Sequence, residues 1–423
     1  MMEELLNPRA EISPFIKRVF VRDYAPIRKA TVSFKRGLNI IIGKNGTGKT
    51  RFLTLLNDLA DLQESKEHYW GAGCQVAFGG IFAEKDEVEV AFEEQDDTEL
   101  SNKPLAWDII LVRMTARMTD SYSDHIREGR VVEDFLAFYP PVLIRHGIPV
   151  SEMPIIDESA ELLLEKRNVT VQLRLGNKRV SDFNSQFIRA VLHTIVATIR
   201  NGFTVLRGVP VPPMTADEVR YQLIRLMKAY TDRLTQFLPL YTPVQAVRCS
   251  EYFQVYHQEL QDQYTIKGLV LEYQVNNEWL SFGMLSDGTK RLVYTVAELL
   301  APQSIGLNKT TNDIGIYDRR KIIFLEEPEL GIHPKQLTKL LNLIREVSKE
   351  NQVIMTTHSP QVLDMLTEKE LDRITICTLD PKKGTQFHKL SPTKQKQARE
   401  YMKETGFLSD YWRYSYLEET EAE

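Results

Sequence analysis

The 423-residue chain is poor in cysteine, in net charge and in long apolar runs, and each shortage excludes something. Its three cysteines, Cys74, Cys249 and Cys377, stand far apart. They have neither the spacing of a zinc site nor the pattern of a disulfide framework, which fits reduced thiols in a cytoplasmic protein. Formal net charge is −5, so no overall basic field draws the chain to nucleic acid or to an anionic membrane, although a local basic groove stays open. Nowhere do ~18 consecutive apolar residues occur, the length a membrane-crossing helix needs. The opening Met1-Met2-Glu3-Glu4-Leu5-Leu6 is acidic and lacks the long apolar core of a secretory leader. Prolines at 140, 141, 149, 154, 210, 212, 213, 239 and 243 interrupt the middle of the chain. No heptad seam survives them, which excludes a long coiled-coil arm.

What is present is the balance of a globular chain, 43% hydrophobic and 26% charged. Its length allows two or three cores at ~100–200 residues per domain. Alternation of the β type marks residues 15–21 and 30–34, and Lys35-Arg36-Gly37 turns the chain into Leu38-Asn39-Ile40-Ile41-Ile42. That apolar strand breaks into Gly43-Lys44-Asn45-Gly46-Thr47-Gly48-Lys49-Thr50, and a helix follows from Arg51. The run is a complete G-x-x-x-x-G-K-T phosphate loop between a strand and a helix, the context the motif requires. Gly43, Gly46 and Gly48 let the backbone N–H groups of the loop, with Asn45 and Thr47, turn inward around a polyphosphate. Lys49 would reach the β- and γ-phosphates, and the Thr50 hydroxyl would hold Mg²⁺. The bland alternative is a glycine-rich hairpin.

Three downstream segments discriminate further. Residues 321–325 are an apolar strand ending in Glu326-Glu327-Pro328-Glu329. Adjacent carboxylates at a strand end suit two tasks, ordering a metal shell and polarising the attacking water, although a solvated acidic turn would look the same. A second apolar strand, residues 352–357, ends at His358-Ser359-Pro360, where ligands gather outside the carboxyl ends of a parallel sheet. Leu285-Ser286-Asp287-Gly288-Thr289-Lys290-Arg291 opens a helix from Leu292 to Leu300, either as a second anion-receptive N-terminus or as a simple N-cap. Residues 81–83 and 87–92 read as a hairpin, residues 264–273 as one strand, and residues 104–261 as helices of moderate length. Within that stretch Val219, Leu223, Leu226, Met227, Tyr230 and Leu234 share one face.

In this order the four segments resemble the ABC-type ATPases. The likeness is to the RecF/SMC-like soluble branch, which includes the ATPase half of overcoming-lysogenization-defect proteins and related phage-defence ATPases. It covers residues 15–95 and 262–362. The resemblance implies an α/β fold: a P-loop ABC-ATPase head with an antiparallel β subdomain and a mostly helical insertion. Residues 1–100 and 262–423 would form the two parts of the head, and residues 101–261 the insertion. It implies ATP and Mg²⁺ as cofactors. Lys49 and Thr50 would bind phosphates and metal, Glu326 would stand at the metal-orienting position, and Glu327 would be the catalytic glutamate. His358 would sense the γ-phosphate, and Ser286 and Gly288 would touch the nucleotide of an opposing subunit.

The chain departs from the pattern in places. Glutamate replaces the usual aspartate at 326, Asp287 and Thr289-Lys290 replace the transporter-type glycine and glutamine, and Ala25-Pro26 stands where the branch often has an arginine near the base. Gln75 and Gln95 are both weak matches to the metal-sensing glutamine. The function implied is an ATP-driven switch whose heads join head to tail as a homodimer or a higher oligomer. It would control a separate effector such as a nuclease or toxin, or a DNA transaction, in phage defence or repair. Rival readings are the energising subunit of a membrane transporter, a chromosome-organising arm protein and a fused nuclease. The signature wording opposes the first, the missing coiled coil the second. The third needs a further domain of ~100 residues, more than follows His358. Tyr411, Trp412, Tyr414 and Tyr416 are expected to pack an edge, with base stacking as the alternative.

Overall fold

Three short runs, Leu38–Ile42, Ile322–Glu326 and Gln352–Thr357, are buried at every position, as strands covered on both faces of a parallel sheet must be. They sit in a computed structural model that describes residues 15–60, 73–79, 87–94, 107–114, 142–145, 161–167, 170–175, 178–179, 215–250, 252–258, 263–301, 304–307, 314–317 and 320–415. In chain order the elements begin with β1 (Phe15–Tyr24), β2 (Ile27–Ser33), β3 (Leu38–Ile42), α1 (Lys49–Ala60), β4 (Gly73–Gly79), β5 (Glu87–Glu94), β6 (Trp107–Met114) and β7 (Val142–Arg145). Next come β8 (Glu161–Arg167), β9 (Thr170–Leu175), β10 (Lys178–Arg179), α2 (Ala216–Tyr241), β11 (Ala246–Cys249), β12 (Gln254–Gln258), β13 (Gln263–Lys267), β14 (Leu271–Val275) and β15 (Glu278–Ser281). The remainder is α3 (Asp287–Leu300), β16 (Ser304–Leu307), β17 (Ile314–Tyr317), β18 (Ile322–Glu326), α4 (Pro334–Val347), β19 (Gln352–Thr357), β20 (Ile374–Asp380), β21 (Gly384–Lys389), α5 (Pro392–Thr405) and α6 (Leu408–Ser415).

The chain divides into two compact units. The first comprises Met1–Gly147, Arg320–Leu330 and Leu341–Glu423, the second Ile148–Arg319 and Gly331–Leu340. The first unit is built on one mixed sheet in the order β6-β5-β4-β1-β2-β21-β20-β3-β19-β18-β7. From β20 to β7 neighbouring strands run parallel; from β6 to β21 they run antiparallel. This is the α/β head with its antiparallel β part. Helix α1 lays Phe52, Leu53, Leu55, Leu56 and Leu59 into the core. The Phe52 ring lies 4.4 Å from Phe387 and 6.4 Å from Phe34. Burying one such ring contributes about 2–3 kcal/mol, so the helix that follows the phosphate loop is anchored one residue past Arg51.

Two buried amides fasten the start of the parallel strands to the antiparallel part. Gln352 accepts the Ile16 N–H at 2.8 Å and donates to the carbonyls of Ile16 (2.8 Å) and Lys35 (3.0 Å). Asn39 accepts the Lys35 N–H at 2.8 Å and donates back to the Lys35 carbonyl at 2.7 Å. A side-chain amide thus replaces ladder bonds where the chain turns through Lys35-Arg36-Gly37. At the other end of the unit, α6 packs beside α5. Tyr411 is buried, with its hydroxyl 3.2 Å from Gln397 and its ring 5.5 Å from Tyr401, while Tyr414 is exposed. Tyr416 lies outside the described residues.

The second unit holds the antiparallel sheet β10-β9-β8-β13-β12, the sheet β11-β14-β15 and the hairpin β16-β17. Helix α2 starts at a capping box, in which Thr215 takes the Glu218 N–H and Glu218 takes the Thr215 N–H. It buries Val219, Leu223, Leu226, Met227, Tyr230 and Leu234, the face the spacing predicts. The Arg233 guanidinium donates twice to the Leu300 carbonyl, at 3.2 and 3.1 Å, and so satisfies the last turn of α3.

Several expectations need correction. Residues 264–273 are not one strand: Gly268 takes a left-handed φ of +73°, and β13 and β14 on either side join different sheets. Among the described residues of the 101–261 stretch, α2 is the helix and the other elements are strands. Glu161–Arg167 looks helical by propensity, but only residues 168 and 169 separate it from Thr170–Leu175, so the two pair as a hairpin with Leu164 opposite Leu173. The partners of β5 are β4 and β6; residues 81–83 lie outside the described residues, as does Gln95. The cysteines are free, and burial pushes the Cys74 thiol up to about 12, which keeps it protonated and inert.

Replacing Gln352 by leucine keeps the volume but strands the buried N–H and carbonyl of Ile16. We expect Gln352→Leu to lose about 2–4 kcal/mol, read as a lower urea midpoint at unchanged slope.

Candidate functional site

Register decides where the chemistry gathers. Ile41 lies opposite Thr356 and Ile42 opposite Thr357, while Thr356 also faces Glu326 on its other side. The next residues along the three strands are Gly43, His358 and Glu327. Three sequence motifs from distant parts of the chain therefore leave the sheet at one edge, within a residue of the same level.

The phosphate loop is held in shape from outside. A Cβ on Gly43 would stand 2.2 Å from the Cys377 carbonyl oxygen of β20, so only glycine allows that approach. At Gly48 a φ of +99° coincides with the Thr385 hydroxyl of β21, 2.7 Å from where a Cβ would be. The same Thr385 hydroxyl donates to the Thr47 carbonyl at 2.7 Å. Thr47 turns its own hydroxyl onto the Lys44 carbonyl at 2.9 Å. Gly46 has a φ of +80° and Asn45 is exposed at the tip. The Lys49 ammonium is buried and donates to the carbonyls of Gly43 (2.7 Å) and Lys44 (2.9 Å), folded over the mouth of its own loop. Thr50 is exposed at the first turn of α1. A desolvated cation beside a helix N-terminus is what a polyphosphate requires.

Opposite stand the acids. Glu326 is buried, and no ion-pair partner for it occurs among the described residues. Glu327 adopts a left-handed φ of +44°, uncommon for a residue with a side chain, and its N–H continues the ladder to the Thr356 carbonyl at 2.9 Å. The regular alternation of the strand therefore ends at Glu326. Glu327 Oε1 lies 3.2 Å from Nδ1 of His358. Glu329 Oε1 accepts from the Thr357 hydroxyl (2.6 Å), the His358 N–H (3.3 Å) and the Ser359 N–H (3.2 Å). Thr356 Oγ1 is buried and, among the described residues, has no hydrogen-bond partner. An orphaned hydroxyl in register with a buried carboxylate fits a site that takes a polar occupant. No group of three or more His, Cys, Asp or Glu able to hold a metal occurs among the described residues. A metal at Thr50 and Glu326 would therefore draw its remaining ligands from phosphate and water.

Ser286 and Gly288 belong to the second unit. Ser286 is the N-cap of α3: its Oγ accepts the Thr289 N–H at 3.4 Å and lies 2.9 Å from the Thr289 hydroxyl. Gly288 is tight against the Gly331 carbonyl, 3.0 Å from where its Cβ would be. The cap leaves the exposed helix N-terminus open to an anion. The first unit thus brings together the residues from Gly43 to Thr50 with Glu326, Glu327 and His358. Sequence reasoning missed Thr385, Cys377 and Thr356, whose contacts span some 300 residues and leave no local pattern. Glu329 was visible in the acidic run, but its hydrogen bonds were not.

Residues 226–364 match a family model described as "AAA domain, putative AbiEii toxin, Type IV TA system". Over 96 residues the chain is 29% identical to the Septu protein PtuA of Bacillus thuringiensis, covering 23% of this chain and 24% of that protein. It is likewise 29% identical over 96 residues to the Retron Ec83 probable ATPase of Escherichia coli, covering 23% and 17%. The matched stretches thus span a quarter or less of those relatives. Among solved structures, an SMC head bound to the C-terminal winged-helix domain of ScpA superposes with a TM-score of 0.50 at 13% identity, over 90% of this chain and 99% of that one. At that identity the likeness speaks for the fold. Among the described residues no helix is long and apolar enough to cross a membrane. Over residues 226–364 the chain is thus similar to AAA-type ATPase domains, and its fold is that of an SMC head.

Proposed function

We propose that the protein is an ATP-hydrolysing molecular switch. Its heads join on ATP and part after hydrolysis, and this cycle sets whether a separate effector is held or released. The observation that carries the reading is the contact of His358 Nδ1 with Glu327 Oε1 at 3.2 Å, at the strand edge from which the phosphate loop also emerges. With Nδ1 occupied by the carboxylate, Nε2 is the nitrogen left to meet a γ-phosphate. Glu327 is then the base that orients the attacking water, and Lys49 neutralises the β- and γ-phosphates. The Thr50 hydroxyl and Glu326 would hold Mg²⁺, which would supply further charge neutralisation at the phosphates.

The capped N-terminus of α3, with Ser286 and Gly288, is the surface that would meet the nucleotide of a second copy placed head to tail. Matches to a Septu protein and a retron ATPase support a setting in phage defence, and an effector such as a nuclease or toxin as the partner. A DNA transaction is the alternative output.

Lys49→Ala removes the charge that balances the phosphates, so ATP binding should fail in an equilibrium titration. Glu327→Gln keeps the shape but not the base: ATP should bind and persist while turnover falls about 10²–10⁴-fold. Turnover at the parental rate would remove Glu327 from the mechanism.

Composite sites predict complementation. Ser286→Arg places bulk and positive charge at the proposed junction and should abolish activity alone. Mixed with Lys49→Ala, it should recover part of the activity, because one intact composite site forms. No recovery at any ratio, with both proteins folded by circular dichroism, would exclude the head-to-tail arrangement.

The chemistry of the site is committed to nucleotide. Highly purified chain incubated with plasmid and Mg²⁺ or Mn²⁺ should leave the DNA intact, and cleavage that survives further purification would place the effector within this chain.

A further inference from the structure

The switch loop hangs on a third carboxylate. Glu329 is not one of the two acids expected to handle metal and water, yet its side chain is only 8% exposed. One oxygen, Oε1, collects the Thr357 hydroxyl at 2.6 Å, the His358 N–H at 3.3 Å and the Ser359 N–H at 3.2 Å. The other, Oε2, is buried and has no partner among the described residues. Thr357 relays the grip by accepting the Ser359 N–H at 2.9 Å on its own hydroxyl. Three donors on one oxygen fix the backbone on both sides of His358. A desolvated carboxylate with an orphaned oxygen is a costly way to tie down a loop, since a neutral amide could cap the same N–H groups. The charge therefore has a second use.

That use is set by distance. His358 Nδ1 lies 3.2 Å from Glu327 Oε1 and 3.8 Å from Glu329 Oε1. Two anionic oxygens on one side of the ring assign the proton to Nδ1 and leave the Nε2 edge for the phosphate. We infer that Glu329 is a positioning residue for ATP hydrolysis: it fixes the backbone of residues 357–359 and, with Glu327, holds His358 in the orientation and tautomer that meet the γ-phosphate. The inference rests on the hydrolytic reading of His358 given above. Glu329 itself touches neither nucleotide nor water in this role. It acts through the histidine, as outer carboxylates orient metal-bound histidines elsewhere.

A double-mutant cycle on the full chain separates this from a purely structural role. Phosphate release and equilibrium ATP binding are measured for the parent, Glu329→Gln, His358→Ala and the double variant, with thermal melting as the folding control. Glutamine keeps the volume and one accepting oxygen while removing the charge. Glu329→Gln should lower kcat roughly 10–100-fold and leave ATP affinity within about twofold. In the His358→Ala background the same change should add nothing, because the residue it positions is gone. Thr357→Val, which removes one donor to Oε1, should lower kcat in the same direction by less, and it carries the same cycle if Glu329→Gln does not fold. Losses that multiply in the double variant, or ATP affinity falling together with kcat, would overturn the assignment. If His358→Ala alone turns over at the parental rate, the hydrolytic reading of His358 fails and the Glu329 assignment falls with it. A parental kcat in folded Glu329→Gln, beside an active parent and an impaired His358→Ala, would sink the positioning role alone.

Discussion

The register of β3, β19 and β18 is the constraint on which the site depends. Ile41, Thr356 and Glu326 lie side by side, so the phosphate loop, the histidine loop and the acidic turn begin at one level. A slip of one residue in either pairing would turn every side chain of that strand to the other face. It would also move the switch histidine by more than 3 Å relative to the loop. Both faces of these isoleucine-rich strands are buried, so a slip would carry the polar residues at the strand ends into the apolar core. Gln352 and Asn39 set it at the opposite end, where buried amides occupy backbone groups that no alternative pairing would satisfy.

Around that frame the site concentrates desolvated charge. Lys49 is covered by its own carbonyls, Glu326 is buried, and Glu329 is held by three donors. Burying such charges costs free energy, so a cluster of them marks a candidate site rather than a device for stability. Glu327 contributes in another way. Its left-handed backbone stores strain at the point where the strand stops alternating. In the second unit, Arg233 ties the end of α3 to α2, so the signature N-terminus is carried on a helix whose far end is fixed.

How much of this was legible follows from how local each cause is. The phosphate loop, the two apolar strands with their terminal acids and histidine, and the capped start of α3 are short patterns whose residues act on their neighbours, and all were readable. The buried face of α2 followed from its periodicity. What failed was decided at a distance. Gly268 splits a strand that looks continuous because the halves pair with different sheets. Glu161–Arg167 looks helical by composition but becomes a strand because Thr170–Leu175 folds back on it. Thr385 and Cys377, which shape the phosphate loop from β21 and β20, carry no signal near residue 45. Glu329 stood in plain sight in the acidic run, yet a carboxylate's role depends on which donors reach it, and those came from β19.

The contact between Thr385 and Thr47 has a consequence for synthesis. The loop that would cradle phosphate is made early, but the hydroxyl that seats its carbonyl and the strand that crowds Gly43 are added more than 300 residues later. A nascent chain thus carries the sequence of a nucleotide site long before it carries the shape. The ribosome must pass residue 385, and the segment must clear the exit tunnel, before β20 and β21 can close on the loop. A chain that stops short of β21 lacks the hydroxyl that seats the Thr47 carbonyl, so the loop reaches its finished shape only when the C-terminal strands close on it.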